Sequence, residues 1–368
     1  MQPLRKEVIR AKAFDFVGQV VWRLELLKKT LLGLVIAVGL LTWLILRLDV
    51  HQLQQHLLAA NLFLLLAMQL TKAGVTGVKA WRWGVAIRSA LPDAQPTRLF
   101  SSTMIGLLGN MLFPARLGEL LRVQLLHKNN PEISRSLALT SALVPQILDL
   151  LVVLVLLGTG MTLSLRSSTN PDLHTLSRMS LLLLVVVVLI LVGLWIFYKQ
   201  FERLAPLGHR ALGVLPDNIA VRLQSMASEI HTGLSFLVKG HSLLRVFALT
   251  LLLWTLETTA LVLAMWAFGL KVSPGMVLTL VGILSLTFVL PVTPGGMGVH
   301  QWAATFILGF FAVSAEKAAG LSVAIQGIDL LTVFCLGSLF LYFFEGLSFS
   351  KLKEEGEKLQ EDAAAGEE

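Results

Sequence analysis

Long apolar runs separated by short polar segments dominate this chain. A helix needs about 20 mostly apolar residues to cross roughly 30 Å of hydrocarbon at 1.5 Å per residue. Six runs meet this length and predict full crossings: 30–47, 58–78, 137–160, 179–198, 246–269 and 320–344. The pattern therefore predicts an all-α polytopic membrane protein.

Two further apolar runs, 99–114 and 275–313, are interrupted by proline and glycine. The first ends at Pro114, and the second is broken in its middle by residues 291–298. Proline lacks a backbone donor and glycine exposes the backbone, so neither run is expected to form a continuous lipid-facing helix. Each run instead predicts a re-entrant helical hairpin.

The distribution of Lys and Arg predicts the orientation. Basic residues concentrate in segments 1–29, 79–98, 115–136 and 199–245, whereas the linkers 48–57 and 161–178 contain few of them. Because basic loops stay in the cytoplasm, we expect both termini inside and the two hairpins to enter from opposite sides of an inner (plasma) membrane. A full crossing at 99–114 would leave one of its basic flanks outside.

Composition agrees with a membrane protein. Hydrophobic residues make up 55% of the 368 residues and charged ones only 14%, against about 25% charged in a typical soluble domain. The net charge of +7 comes from Lys and Arg beside apolar runs, which is typical of cytoplasmic membrane flanks and not of nucleic-acid binding. The single Cys335 excludes an intramolecular disulfide framework.

Three regions follow from these patterns. Residues 1–29 are predicted to be an amphipathic cytoplasmic segment, and 30–345 the transmembrane domain. Residues 346–368 are acidic and rich in Ala and Gly, so they are predicted to be a disordered cytoplasmic tail.

The two breaks share a short pattern, Pro-x-x-(Leu/Met)-Gly, which begins at Pro114 in one half and at Pro294 in the other. Paired Gly/Pro-interrupted segments in two halves are typical of transporters built from inverted repeats. The residues expected to shape the gate through their backbone are Pro114, Gly118, Pro294, Gly295, Gly296 and Gly298.

Three charges, Arg116, Glu119 and Arg122, lie beside the first break and close to Asn110. Residues three apart share a helix face, and an arginine fork binds phosphate well. The cluster is therefore either a binding site for an anionic headgroup or a salt-bridge cluster that closes the hairpin. His300 and Gln301, after the second break, either line the same site or cap the resuming helix.

Single ionisable residues also occur within the predicted spans. Asp149 and Glu257 lie near the middle of theirs, where an unpaired charge costs roughly 3 kcal/mol or more. They are candidates for proton coupling or for structural bonds between helices. Lys72 is placed near a cytoplasmic end, where its ammonium group can reach the interface.

Enzyme signatures were not found: the chain contains no Walker loop, no HExxH, no GxSxG and no metal-ligand spacing. We expect no catalytic activity, no cofactor and no metal.

The segments 110–122 and 290–301 resemble the two signatures of the lysylphosphatidylglycerol synthase transmembrane family, also called flippase-like domains. Arg82-Trp83 and Asp149 fit the same pattern, and the resemblance covers residues 30–345. Two charged pairs usual in the family are replaced here, one by Pro145-Gln146 and the other by His300-Gln301.

The resemblance implies an inner-membrane protein that moves lipids or lipid-linked groups between leaflets, with Arg116 and Arg122 holding an anionic headgroup and Glu119 orienting or competing for them. The aminoacyl-transferase domain of some members is not in this sequence. Two alternatives stay open: a membrane scaffold for a lipid-modifying or glycosyl-transferring enzyme, and a membrane-embedded transferase.

Overall fold

The structure is a computed structural model that describes residues 35–90, 94–112, 117–130, 133, 135–165, 240–289 and 293–346, with separate positions between 178 and 231 and between 348 and 354. The regular structure of these residues is helical, which confirms the predicted all-α class. The predicted segment 1–29 lies outside the described residues, as does most of the tail 346–368. Within that tail Leu352 is described, and it is buried beside α4 and α5, whose bounds follow.

The helices are, in chain order, α1 Val35–Ile45, α2 Val50–Leu58, α3 Leu62–Ala90, α4 Pro96–Leu112, α5 Leu117–Asn129, α6 Arg135–Leu165, α7 Gly240–Ala267, α8 Pro274–Val289, α9 Val299–Gly309 and α10 Ala315–Phe343. A short 3-10 turn, Pro294–Gly296, lies between α8 and α9.

Four of the described helices, α3, α6, α7 and α10, are long and apolar enough to cross a membrane. The α1–α2 pair, bent by 94°, adds a fifth crossing if it is one broken span. The protein is therefore a multi-pass membrane protein. The predicted span 179–198 falls where the structure describes only separate helical positions, so the predicted number of six full crossings stays a prediction.

Helix α3 differs from its prediction, because it continues to Ala90 instead of ending near residue 78. Its start is set by Asn61, whose side-chain oxygen accepts a hydrogen bond from the backbone N–H of Leu64 at 3.2 Å. Its second half was expected to be a basic loop. The helix persists there because Lys79 and Arg82 have acidic partners on neighbouring helices.

The described helices form two repeats of opposite orientation, α3–α6 and α7–α10. Each packing contact of one repeat has its counterpart in the other: α4 packs on α5 as α8 packs on α9, and α4 packs on α10 as α8 packs on α6. Helices α3 and α7 pack on each other at the centre. They run antiparallel, since Gly74 approaches Leu256 whereas Arg82, later in α3, bonds Thr250, earlier in α7. This arrangement is that of an inverted repeat.

Candidate functional site

The first hairpin, α4–α5, is held by backbone contact between its two helices. A Cβ atom added to Gly118 would collide with the carbonyl oxygen of Gly106 and the backbone nitrogen of Asn110. A Cβ at Gly109 would lie 2.9 Å from the Cα of Gly118. Glycine is therefore required because the backbones meet, and helices α4 and α5 run antiparallel, since Gly106 approaches Arg122 whereas Gly109 approaches Gly118.

The predicted charge cluster lies inside this hairpin. Nη2 of Arg122 is 2.6 Å from Oε2 of Glu119, and Nδ2 of Asn110 donates a hydrogen bond to Oε1 of Glu119 at 3.2 Å. The Arg122 guanidinium lies over the ring of Trp83, 4.7 Å from its centroid. The structure thus brings three predicted site residues together, whereas Arg116 and Pro114 lie outside the described residues.

Arg122 is only 8% exposed, although the sequence counts it among the basic residues of a cytoplasmic loop. Its burial has two causes: helix α5 packs against α4 along its length, and Glu119 and Trp83 supply a charge and an aromatic face for the guanidinium. The charge is therefore internal and does not contribute to a surface flank.

The second hairpin, α8–α9, turns through glycines in the left-handed region. The φ angles of Gly295, Gly296 and Gly298 are 59°, 71° and 80°, which residues with a Cβ adopt only at a cost. A Cβ at Gly298 would also lie 3.0 Å from the carbonyl oxygen of Ala37 in α1. Helix α1 is therefore seated directly on this break.

Two glutamines fasten the break to α10. The N–H of Gly298 donates to Oε1 of Gln301 at 2.8 Å, and Nε2 of Gln301 donates to Oε1 of Gln326. Nε2 of Gln326 in turn donates to the carbonyl oxygen of Gly295 at 2.7 Å. In this conformation Gln301 caps α9, the second of the two roles its position suggested.

His300 is buried beside α8, with 1% of its surface exposed. Its Nδ1 atom lies 3.2 Å from Oγ1 of Thr287. Both residues of the His300-Gln301 pair therefore hold the hairpin together in this conformation.

A two-point ion pair joins α3 to α6 next to the first hairpin. Arg82 donates from Nη1 and Nη2 to the two carboxylate oxygens of Asp149 at 2.5 and 2.6 Å. Helix α7 adds Thr250, which accepts from Arg82 at 3.0 Å, and Trp254, whose Nε1 donates to Asp149 at 3.0 Å. Since Trp83 follows Arg82 directly, this network adjoins the Arg122 cluster.

A second buried network lies farther along the α3–α7 contact. Nζ of Lys72 is 2.6 Å from Glu257 of α7 and 2.9 Å from Asp329 of α10. Nζ of Lys79 is 3.6 Å from Glu257. The expectation that Lys72 extends to the membrane interface is wrong, because Lys72 is 9% exposed and lies between two acids.

The sequence itself contains a signal for this network. Lys72 and Lys79 are seven residues apart, about two helical turns, and so share a face of α3. Two lysines on one helix face require acids on the helices opposite, and Glu257 and Asp329 were the candidates within spans. Among the described residues no group of three His, Cys, Asp or Glu could hold a metal ion.

Comparison with known proteins agrees with a membrane protein. A UPF0104 membrane protein of Methanothermobacter thermautotrophicus is 26% identical over 295 residues, 76% of this chain and 83% of that protein. A UPF0104 membrane protein of Methanocaldococcus jannaschii is 22% identical over 238 residues, 64% of this chain and 94% of that protein. No solved structure shows a significant match. Residues 30–337 match the family model described as the lysylphosphatidylglycerol synthase TM region, and the chain therefore belongs to that family.

Proposed function

We propose that this protein is a flippase-like transporter that moves a lipid with an anionic headgroup, or a lipid-linked anionic group, between the leaflets of the inner membrane. One observation carries the proposal. Two inverted repeats each contain a broken helical hairpin, and the Lys72–Glu257 ion pair joins the repeats at the α3–α7 contact, where α7 also hydrogen-bonds the Arg82–Asp149 pair. In transporters built this way, substrate sites lie at the repeat interface beside discontinuous helices.

The substrate site of this proposal is the cluster of Asn110, Glu119 and Arg122, with Arg116 nearby in sequence. Arg122 is already paired with Glu119 in the described conformation. A phosphate therefore binds by displacing Glu119 from the guanidinium, and the site alternates between an internally paired and a lipid-bound state. The two-donor geometry of arginine suits a phosphate oxygen pair.

The two partly buried acids within the helices differ in their suitability for coupling. Asp149 has both carboxylate oxygens bound by Arg82 and a further bond from Trp254, which favours a structural role. Glu257 is shared by Lys72 and Lys79, and Lys72 is shared with Asp329. A lysine with two acidic partners can change partner during a conformational change, so Glu257 is the better candidate for coupling.

Reconstitution tests the proposal. The purified chain is inserted into liposomes that contain trace phosphatidylglycerol or phosphatidylcholine with a fluorescent label on an acyl chain, and dithionite reports the outer-leaflet fraction with and without a proton gradient. We expect the protein to move labelled phosphatidylglycerol, and Arg122→Ala to lose that movement while Lys271→Ala, a change at an exposed lysine, retains it.

Folded wild-type protein that moves neither probe under any gradient would overturn transport. Lipid modification that appears only when a partner enzyme is added would then support the scaffold alternative. Conversion of the labelled lipid to a new species by the protein alone would support the membrane-embedded transferase.

A further inference from the structure

A groove of about 630 Å³ opens between α3, α4 and the start of α7, apart from the charged clusters described above. Its floor is the backbone of α3, because Gly74, Gly77 and Gly84 line it. A Cβ at Gly77 would lie 4.0 Å from the ring of Phe100, and one at Gly84 3.8 Å from a methyl group of Leu99. The floor therefore accepts a methyl group, and a larger side chain would fill the groove.

One end of the groove is cationic. Arg88, near the end of α3, and Arg245, in the second turn of α7, both line it and are both exposed. The described residues that line the groove include these two cations and no anion. The ends of α3, α4 and α7 that meet here belong to the side that the Lys and Arg distribution places in the cytoplasm.

The length of the groove suits a lipid chain. From Gly74 to Arg88 the axis of α3 rises about 21 Å at 1.5 Å per residue, which is roughly two thirds of the hydrocarbon thickness. Trp81 lines the groove and is 62% exposed. The groove thus combines a long apolar trough, an exposed tryptophan and two arginines at a single end, the combination by which basic pockets between transmembrane helices recognise anionic lipids.

We propose that this groove binds an anionic phospholipid, with one acyl chain along the glycine floor of α3 and the phosphate held by Arg88 and Arg245. The site is distinct from the Arg122 cluster. The proposal goes beyond the proposed transport function, because a lipid can bind in this groove whether or not the protein moves lipids between leaflets.

Native mass spectrometry of the full chain in detergent, titrated with dioleoyl phosphatidylglycerol or dioleoyl phosphatidylcholine, tests the assignment. We expect the wild type to prefer phosphatidylglycerol. The double variant Arg88→Gln/Arg245→Gln should bind it about ten-fold more weakly, since charge-assisted bonds to the phosphate are lost. Gly77→Leu should weaken the binding of both lipids, because its side chain occupies the trough.

Matched controls separate this site from general lipid adhesion. The double variant Lys271→Gln/Lys317→Gln removes two charges that do not line the groove, one after the end of α7 and one at the start of α10. The variant Gly327→Leu adds the same side chain as Gly77→Leu at a position where no atom lies within 4 Å of a Cβ. Both controls should bind like the wild type. Unchanged phosphatidylglycerol binding by the double arginine variant at a wild-type melting temperature overturns the proposal, as does a wild type that binds neither lipid. If Gly77→Leu does not fold, the arginine variant decides alone.

Discussion

Arg82 of α3 and Asp149 of α6 form a two-point ion pair, with Nη1–Oδ1 and Nη2–Oδ2 distances of 2.5 and 2.6 Å. The Arg82 side chain is 5% exposed and that of Asp149 21%. An unpaired charge inside a membrane protein is costly. The pair therefore explains why α3 continues as a helix through a segment that carries several positive charges.

We expect loss of either partner to destabilise the protein. Asp149→Leu leaves the buried charge of Arg82 uncompensated, which costs about 3–5 kcal/mol, and Arg82→Met leaves the partly exposed Asp149 without its partner, which should cost less. The double variant Arg82→Met/Asp149→Leu should recover most of this loss, because it leaves no buried charge. Melting temperatures in detergent measure the effect. If both single variants were as stable as the wild type, the pair would not be needed for stability, and Asp149 could serve another role, such as proton coupling.

The Arg122–Glu119 pair should matter for lipid movement more than for folding. Arg122→Ala should reduce movement of labelled phosphatidylglycerol at least about ten-fold, since a charged hydrogen bond contributes about 1.5–3 kcal/mol. Arg122→Lys retains the charge without the two-donor fork, so its rate of lipid movement should lie between those of the wild type and Arg122→Ala. Glu119→Gln should also impair movement. Arg116→Ala is expected to resemble Arg122→Ala.

Size-exclusion profiles and membrane yields of these variants decide how the result is interpreted. If Arg122→Ala aggregates or is lost from the membrane, the cluster serves to close the hairpin. A normal profile with lost lipid movement supports the headgroup site.

The glycines of the two hairpins should respond differently to alanine. At Gly118 even a methyl group collides with backbone atoms of α4, so Gly118→Ala should already separate the helices. At Gly298 the backbone has a φ of 80°, and an alanine held in this left-handed region costs about 1–2 kcal/mol. Melting temperature and lipid movement should fall for both, whereas Gly327→Ala, which faces open space, leaves both unchanged.

Valine extends this comparison to the gate. Gly118→Val, Gly296→Val and Gly298→Val should each stop lipid movement, with Ala milder than Val at Gly296 and Gly298. Wild-type rates for all three Val variants at equal protein levels would mean that the breaks are passive loops. The central site would then be sought at Asp149 and Glu257.

Cysteine labelling tests the placement of the first hairpin. Thr97, at the start of α4, and Lys128, at the end of α5, are both exposed. In a Cys335→Ala background, Thr97→Cys and Lys128→Cys should both react with an impermeant maleimide from the cytoplasm, because the hairpin is antiparallel. Lys271→Cys should react only from outside. Labelling of Lys128→Cys only from outside would show that the first hairpin crosses the membrane.

The sequence alone determined the helical class, the presence of the long apolar helices α3, α6, α7 and α10, and both break positions. These are local properties: proline and glycine interrupt a helix wherever they stand, and an apolar run of sufficient length partitions into lipid whatever its neighbours are. The proximity of Asn110, Glu119 and Arg122 could also be predicted from local sequence, since these residues follow one another within the two short helices of one hairpin.

Tertiary structure decided the partners of the buried charges, the extent of α3 and the backbone contact at Gly118. Lys72 meets Glu257 and Asp329, and Arg82 meets Asp149, only because α3 crosses α6, α7 and α10 at these positions. No local pattern specifies which residues of two helices will face each other at a crossing. From sequence alone, a basic segment that continues a helix looks the same as a cytoplasmic loop. Only the packed structure distinguishes the helix from the loop, because it shows which neighbouring helix carries the acidic partner.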